Sequence, residues 1–133
     1  MIYGIGIDLV NIKRLERTME RWGDRFVNRV FTPDERKFCY KRAYPASAFA
    51  LRFAAKEAFS KALGLGMKRG IRWRDIEIFH HPGGQPYLKL HGRSSDICRE
   101  RNITSSHLSL SDEGEYGSAM VVLEKSDETG KSL

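Results

Sequence analysis

The chain has 133 residues, of which 41% are apolar and 30% are charged, and its formal net charge is +6. This length is enough for one domain with its own core, and the composition is typical of a globular protein. No apolar run reaches the length of a membrane span, and no secretory signal pattern is present, so we expect neither a membrane protein nor a secreted one. Cys39 and Cys98 lack the spacing of a zinc site, which favours reduced thiols and a cytoplasmic location.

The positive charge is concentrated near the amino terminus. Residues 13–42 hold ten Lys or Arg and five acidic residues, so this segment carries +5 of the total +6. A concentrated basic surface indicates an anionic partner, which could be a nucleic acid, a membrane or an acidic protein.

The first elements in chain order are a strand and a basic helix. Residues 2–10 are rich in β-branched and apolar side chains and predict a strand, in which Gly4 and Gly6 permit close approach of another backbone. Two series of residues at spacings of three and four then predict one amphipathic helix with a basic stripe on a second face. The apolar series is Ile12, Leu15, Met19, Trp22 and Phe26, and the basic series is Arg14, Arg17, Arg21 and Arg25.

Two further helices are predicted from their end signals. The run Thr32-Pro33-Asp34-Glu35 has the pattern of a capping box with proline in the first turn, and the helix that it begins should end near residue 44. A longer helix is predicted over residues 46–63, with Gly64 as its C-terminal cap.

The rest of the chain predicts short strands. We expect strands at 76–79, 87–90, 107–110 and 116–124, a loop at 81–86 and a short helix at 93–101. The sequence therefore predicts a single α+β domain over residues 1–125, followed by a frayed polar tail at 126–133.

Asp8 and Glu57 are the candidate metal ligands. Two carboxylates from distant segments are the least that a protein contributes to a magnesium site, because Mg²⁺ keeps several waters and completes its shell with substrate phosphates. Each residue also has a structural interpretation. Asp8 could cap the following helix, and Glu57 could pair with Lys61 one turn later. The residues alone leave both interpretations open.

Cationic residues surround Glu57 in sequence. Arg52, Lys56 and Lys61 are interpreted either as a solvated or ion-paired helix face, or as groups that neutralise phosphate oxygens beside a metal. The glycines at 64 and 66 are a weak signal, because most such glycines are helix caps.

Polar residues also alternate along the fourth predicted strand. His107, Ser109 and Ser111 share one face, and a polar strand face is usually just solvated. A Ser-His-Asp hydrolase would use these residue types, but no nucleophile elbow is present. The remaining histidines, His80, His81 and His91, have no metal-ligand spacing and are interpreted as surface residues.

Three segments together carry a resemblance to a known family. They are Gly6-Ile7-Asp8, then Arg52-Phe53-Ala54-Ala55-Lys56-Glu57-Ala58 with Lys61-Ala62, and finally His107 through Tyr116-Gly117-Ser118-Ala119. In order and spacing, the chain from Ile2 to about Glu124 resembles the holo-[acyl-carrier-protein] synthases, the small bacterial type of 4'-phosphopantetheinyl transferase. No single motif would suffice, but the three together in a chain of this length are highly specific.

The resemblance implies a fold and a reaction. The fold is α+β, a small antiparallel sheet packed with a long helix, assembled as a homotrimer with active sites between subunits. The reaction is a magnesium-dependent transfer of 4'-phosphopantetheine from coenzyme A to a serine of apo acyl carrier protein. It releases adenosine 3',5'-bisphosphate and serves fatty acid biosynthesis.

The resemblance also implies roles for individual residues. Asp8 and Glu57 would hold the metal against the coenzyme A pyrophosphate, Lys61 would contact phosphate, and Glu57 or a water on the metal would take the serine proton. Coenzyme A would contact Arg52, Lys56, Lys61, Gly64, Pro86, His107 and Ser109, and a neighbouring chain could supply the last three. Because acyl carrier proteins are small and acidic, the basic stripe suits a docking face. That face comprises Arg14, Arg17, Arg21, Arg25 and Phe26, although Phe26 could equally belong to the core.

Two alternatives from other classes stay open at this point. A small nucleic-acid-binding domain would explain the basic helix, but no stacking platform or binding motif accompanies the arginines, and we expect no nucleic acid and no membrane as partner. A catalytically silent trimeric scaffold is disfavoured by the presence of both Asp8 and Glu57.

Overall fold

The computed structural model describes residues 1–126. Five helices and five strands follow one another along this part of the chain. They are β1 (Ile2–Asn11), α1 (Ile12–Trp22), α2 (Asp24–Val30), α3 (Pro33–Tyr40), α4 (Pro45–Leu63), β2 (Ile76–His80), β3 (Pro86–Leu90), α5 (Gly92–Glu100), β4 (Ile103–Glu113) and β5 (Tyr116–Lys125), with a short 3₁₀ turn at Trp73–Asp75 before β2. The predicted α+β class is confirmed.

The strands form two antiparallel sheets. The larger sheet has the order β1-β5-β4, and β2 pairs with β3 in a separate hairpin. The register places Ile7 opposite Met120, and Met120 opposite Ser109 on its other side. The long helix α4 lies across one face of the larger sheet and is buried on nearly all sides, as expected for a helix rich in alanine and phenylalanine at the centre of a domain.

The contact between β1 and α4 positions the candidate site, and two glycines permit it. A Cβ atom at Gly6 would lie 1.9 Å from the carbonyl oxygen of Ala58, and one at Gly4 would lie 2.1 Å from that of Ala62. The predicted close backbone approach at these glycines is confirmed. Any larger residue would hold the strand away from the helix.

The prediction of one helix through residue 26 was wrong. Gly23 has φ +57°, and its N–H donates to the carbonyl oxygen of Met19, so α1 ends there and α2 begins at Asp24. A positive φ costs glycine little, which makes it a common helix terminator. The break leaves Trp22 half-exposed at a corner, and it places Arg25 and Phe26 on a different helix from Arg14, Arg17 and Arg21.

The other boundaries agree more closely with the sequence. Thr32 forms the predicted capping box with Glu35, although α3 ends at Tyr40, earlier than expected. Gly64 caps α4 with φ +81°, as predicted. The strand predicted at 107–110 is longer and begins at Ile103. Most of the predicted tail, residues 127–133, lies outside the described residues.

Candidate active site

Asp8, Glu57 and Lys61 come together where β1 crosses α4. The ammonium group of Lys61 lies 2.9 Å from Asp8 Oδ1 and 3.1 Å from the carbonyl oxygen of Ile7. Asp8 is on the strand face that is turned toward α4, because its register partner on β5 is the buried Ala119. Glu57 is one helical turn before Lys61, so all three side chains occupy the same junction.

The electrostatics of this junction resemble those of a ligand site. Desolvation raises the pKa of Glu57, the nearby Asp8 raises it further, and Lys61 opposes both effects. Two carboxylates held close together with one cation leave an excess of negative charge. This arrangement is unfavourable without a further cation.

A cavity of about 300 Å³ opens beside the two carboxylates. Both Asp8 and Glu57 line it, Arg14 of α1 stands at its edge, and the rings of Phe26 and Phe53 form part of its wall. Phe26 contacts Phe53 and Phe31 at centroid distances of 6.4 Å. Phe26 is therefore partly a core residue and partly exposed to this cavity.

Arg52 lies in a second, separate pocket. It is 2% exposed, its guanidinium lies over the ring of Phe38, and its Nη2 is 3.2 Å from Nδ1 of His80. Its Nε is buried and, among the described residues, has no hydrogen-bond partner. Arg42 also lines this pocket, which has a volume of about 460 Å³. The carboxylate of Asp112 lines the same pocket, so two guanidinium groups are balanced by one carboxylate, and an anion would compensate the remaining positive charge.

His80 was not recognised as part of this pocket. It is half-buried, stacks on Phe38 with ring centroids 4.9 Å apart, and is the register partner of Pro86 in the hairpin. Burial lowers the pKa of His80, and the charges of Arg52 and Arg42 lower it further. No sequence spacing links His80 to Arg52, because only the folding of β2 against α4 brings them together.

Lys56 does not belong to either pocket, and its expected phosphate contact was wrong. The side chain is fully buried, and its ammonium group lies 2.8 Å from Glu35 Oε1. It also donates to the carbonyl oxygens of Trp73 and Ile76, so all three protons are used inside the protein. Gly64 likewise uses its N–H within the helix cap, where it donates to Ser60 and Lys61.

His107 and Ser109 are on the far face of the larger sheet. Both side chains are exposed and point away from α4, whereas Leu108 and Leu110, which alternate with them along β4, pack against the core. His107 lies 2.7 Å from Glu124. Within one chain, these residues therefore do not join Asp8, Glu57 and Lys61.

The predicted docking arginines are exposed on two helices rather than one. Arg14 borders the cavity beside the carboxylates, while Arg25 lines a groove of about 410 Å³ at the corner between α1 and α2. Trp22, which the sequence assigned to the apolar stripe, and Arg29, which the sequence did not single out, also line this groove. The break at Gly23 turns Trp22 outward, which the apolar periodicity did not indicate.

The comparison with known proteins identifies the family. Residues 4–116 match the model of the 4'-phosphopantetheinyl transferase superfamily. The chain belongs to this superfamily.

Individual transferases of this superfamily resemble the chain over nearly its full length. It is 47% identical to the holo-[acyl-carrier-protein] synthase of Syntrophus aciditrophicus, over 93% of this chain and 97% of the relative. The structure of the Neisseria meningitidis synthase matches with a TM-score of 0.87 and 40% identity, over 94% of this chain and 100% of that one. The structure of the Helicobacter pylori synthase in complex with coenzyme A matches with a TM-score of 0.80 and 34% identity, over 90% and 99% of the two chains. The resemblance and the transferase activity predicted from the sequence are confirmed.

Two features bear on alternatives to this transferase. No helix among the described residues is long and apolar enough to span a membrane. Burial raises the pKa of the Cys39 thiol to about 12 and that of Cys98 to about 11, so neither thiol is suited to nucleophilic chemistry.

Proposed function

We propose that the protein transfers 4'-phosphopantetheine from coenzyme A to a serine of an apo acyl carrier protein and that Asp8 and Glu57 hold the Mg²⁺ required for the transfer. The observation that carries this proposal is the junction of β1 and α4, where both carboxylates line one cavity beside Lys61. The relatives named holo-[acyl-carrier-protein] synthase and the coenzyme A complex of one of them support the choice of substrates.

The carboxylates of Asp8 and Glu57 suit Mg²⁺ better than a metal whose ligands must all come from the protein. Among residues 1–126, no group of three or more His, Cys, Asp or Glu side chains could hold a metal. Two carboxylates are sufficient for Mg²⁺, because substrate phosphates and waters complete its octahedral shell. When bound, the ion would neutralise charge on the pyrophosphate oxygens during phosphoryl transfer.

The side chains of this chain would carry the other parts of the reaction. Lys61 can turn from Asp8 toward a pyrophosphate oxygen, because its side chain is 51% exposed. Glu57, whose pKa is raised mainly by desolvation, accepts the proton of the attacking serine hydroxyl. The serine oxygen forms a bond to the phosphorus that bears pantetheine, and the bond from that phosphorus to the leaving adenosine bisphosphate breaks.

The Arg52 pocket would hold another phosphate of coenzyme A. This assignment is supported by the buried Nε of Arg52, which has no hydrogen-bond partner among the described residues, and by Arg42, which lines the same pocket. A bound phosphate would supply the acceptor that this buried guanidinium lacks and would form charge-assisted hydrogen bonds with it.

We also propose the homotrimer, with a neighbouring subunit completing the site. The sheet face away from α4 exposes a row of apolar side chains: Ile5 is 58% exposed, Ile7 61% and Leu9 67%, and Met120 of β5 adjoins them. An apolar patch of this kind marks an interface. His107 and Ser109 share this face, so assembly would bring them toward a neighbour's cavity.

The carrier protein would dock on Arg14, Arg17 and Arg21 of α1 and on Arg25 of α2. All four arginines are exposed, Arg14 borders the catalytic cavity and Arg25 borders the corner groove, so an acidic partner would complement this surface. The two unreactive buried thiols suit a cytoplasmic location.

Intact mass spectrometry of apo acyl carrier protein tests the reaction. After incubation with the protein, coenzyme A and Mg²⁺, the carrier should gain the mass of phosphopantetheine. The gain should be absent with EDTA and with Glu57→Gln. The matched control is Glu100→Gln, at an exposed glutamate on α5 that pairs with Arg93. No gain with the folded wild-type protein and several carriers would refute the proposal, and a gain in EDTA would refute the metal site.

A further inference from the structure

A buried ion pair lies directly behind the catalytic junction and has no role in the reaction described above. Lys56 and Glu35 have side-chain exposures of 0%, and their charged atoms are 2.8 Å apart. Lys56 immediately precedes Glu57, so the two side chains leave α4 about 100° apart. Lys56 points into the core, and Glu57 points toward β1.

The pair connects four elements. Glu35 of α3 accepts from the backbone N–H groups of Thr32 and Ile78, at 3.0 and 2.9 Å. Lys56 of α4 donates to the carbonyl oxygens of Trp73 and Ile76, which frame the 3₁₀ turn before β2. Every hydrogen-bonding position of the ammonium group is therefore occupied, and its direction is fixed.

The anchored turn also supports the wall of the catalytic cavity. The ring of Trp73 stacks on Phe53 with centroids 5.0 Å apart and an interplanar angle of 18°. Phe53 lines the cavity together with Asp8 and Glu57, and it is one helical turn before Glu57 on α4. A displacement of the turn would therefore reach the cavity through one stacked pair.

Stabilisation of the fold is a weak explanation for the presence of this buried ion pair. Desolvation of two charges offsets most of their attraction, and apolar replacements of buried ion pairs are often neutral or stabilising. The ion pair is held by four further hydrogen bonds, two to Glu35 and two from Lys56, and these fix the directions of both side chains. Phosphoryl transfer depends on such fixed positions.

We propose that the Lys56–Glu35 ion pair is a positioning element for the transfer, because it fixes the rotation of α4 that presents Glu57 and anchors the turn that holds Trp73 against Phe53. Neither residue touches substrate. Both act through Glu57 and the cavity wall. This inference rests on the proposed function, and it assigns to the pair a role that the fold alone does not require.

The test uses Lys56→Met combined with Glu35→Gln, which removes both charges together. We expect a folded protein with a melting temperature close to that of the parent. Its kcat should fall by about tenfold or more, while KM for the carrier protein stays within about twofold, because the docking arginines lie on other elements. The control is Arg93→Met combined with Glu100→Gln, an exposed pair with an N–O distance of 2.9 Å.

Tryptophan fluorescence gives a readout that does not depend on activity. The chain has two tryptophans, so in a Trp22→Phe background Trp73 is the only tryptophan, and selective excitation of tryptophan reports on it alone. In the double variant, the emission of Trp73 should shift to longer wavelength as the turn leaves Phe53. Parental kcat together with parental emission in the folded double variant would overturn the inference.

Lys56→Arg decides the matter if the double variant does not fold. Arginine keeps the charge, but its planar guanidinium cannot repeat the three directions of an ammonium group. A folded Lys56→Arg variant with lower kcat and shifted Trp73 emission would support the positioning role of the ion pair. A folded variant whose kcat and Trp73 emission both match the parent protein would overturn it. Absence of transfer by the wild-type protein would instead be a failure of the proposed function, which the same assay reports separately.

Discussion

Replacement of Gly6 by alanine is the sharpest test of how this fold builds its site. The added Cβ would lie 1.9 Å from the carbonyl oxygen of Ala58 and 2.7 Å from the backbone nitrogen of Ala62. Both are backbone atoms of a buried helix, so neither can rotate away. Ordinary van der Waals contact begins at 3.4 Å, so β1 must move away from α4 by about 1.5 Å.

This displacement acts on stability and on activity. Overpacking a core in this way costs about 1–3 kcal/mol, which corresponds to roughly 10 °C in the melting temperature of a domain of this size. Asp8 is two residues further along β1, so it moves away from Glu57 and Lys61. Misplacement of catalytic groups by about 1 Å costs on the order of 100-fold in rate.

The assay combines thermal unfolding with the rate of carrier modification measured by intact mass. The control for stability is Gly83→Ala, because a Cβ at Gly83 has nothing within 4 Å and its φ is not positive. We expect Gly83→Ala to melt within a few degrees of the parent. A Gly6→Ala variant with parental melting temperature and parental kcat would refute the argument that close contact of β1 with α4 positions the carboxylates.

Three further predictions follow from charge and exposure. Charge reversal at Arg14 and Arg21 should raise KM for the carrier about tenfold at low salt, because long-range attraction is lost, and leave KM for coenzyme A unchanged; equal loss of both would contradict a docking role. Glu57→Gln should abolish transfer yet raise the melting temperature at pH 8, because the raised pKa of Glu57 means that its ionised form destabilises the fold. This gain in melting temperature should vanish below the ordinary carboxyl pKa, because Glu57 of the parent protein is then protonated in both the folded and the unfolded state. A gain that does not depend on pH would refute the explanation by ionisation of Glu57. Ile7→Lys should reduce the mass in solution to that of one chain as measured by light scattering, and a monomeric wild-type protein would refute the proposed assembly.

The sequence was informative wherever a local signal decides the structure. The capping box at Thr32 and the cap at Gly64 were predicted because helix ends are determined by neighbouring residues. Gly23 shows the limit of this kind of signal. The apolar periodicity continued through it, but its positive φ ended the helix and turned Trp22 outward.

Asp8, Glu57 and Lys61 were also recognisable from sequence, because carboxylates in apolar segments are costly and therefore conspicuous. What the sequence could not show was the direction of neighbouring side chains. Lys56 and Glu57 are adjacent and both charged, yet only Glu57 faces the cavity. Glu35, 21 residues before Lys56 in the chain, is brought to it by the packing of α3 on α4, and the resulting ion pair buries Lys56.

The chain by itself thus determined the capping box at Thr32, the cap at Gly64, the strand glycines and the identity of the candidate carboxylates, since each depends on residues within one element. Tertiary structure alone decided which charges are buried partners and which face solvent. It placed Arg52 with His80, buried Lys56 with Glu35, and separated His107 from Asp8 on opposite faces of one sheet. The physical reason is that these relations depend on distances between elements far apart in sequence, which local propensities do not encode.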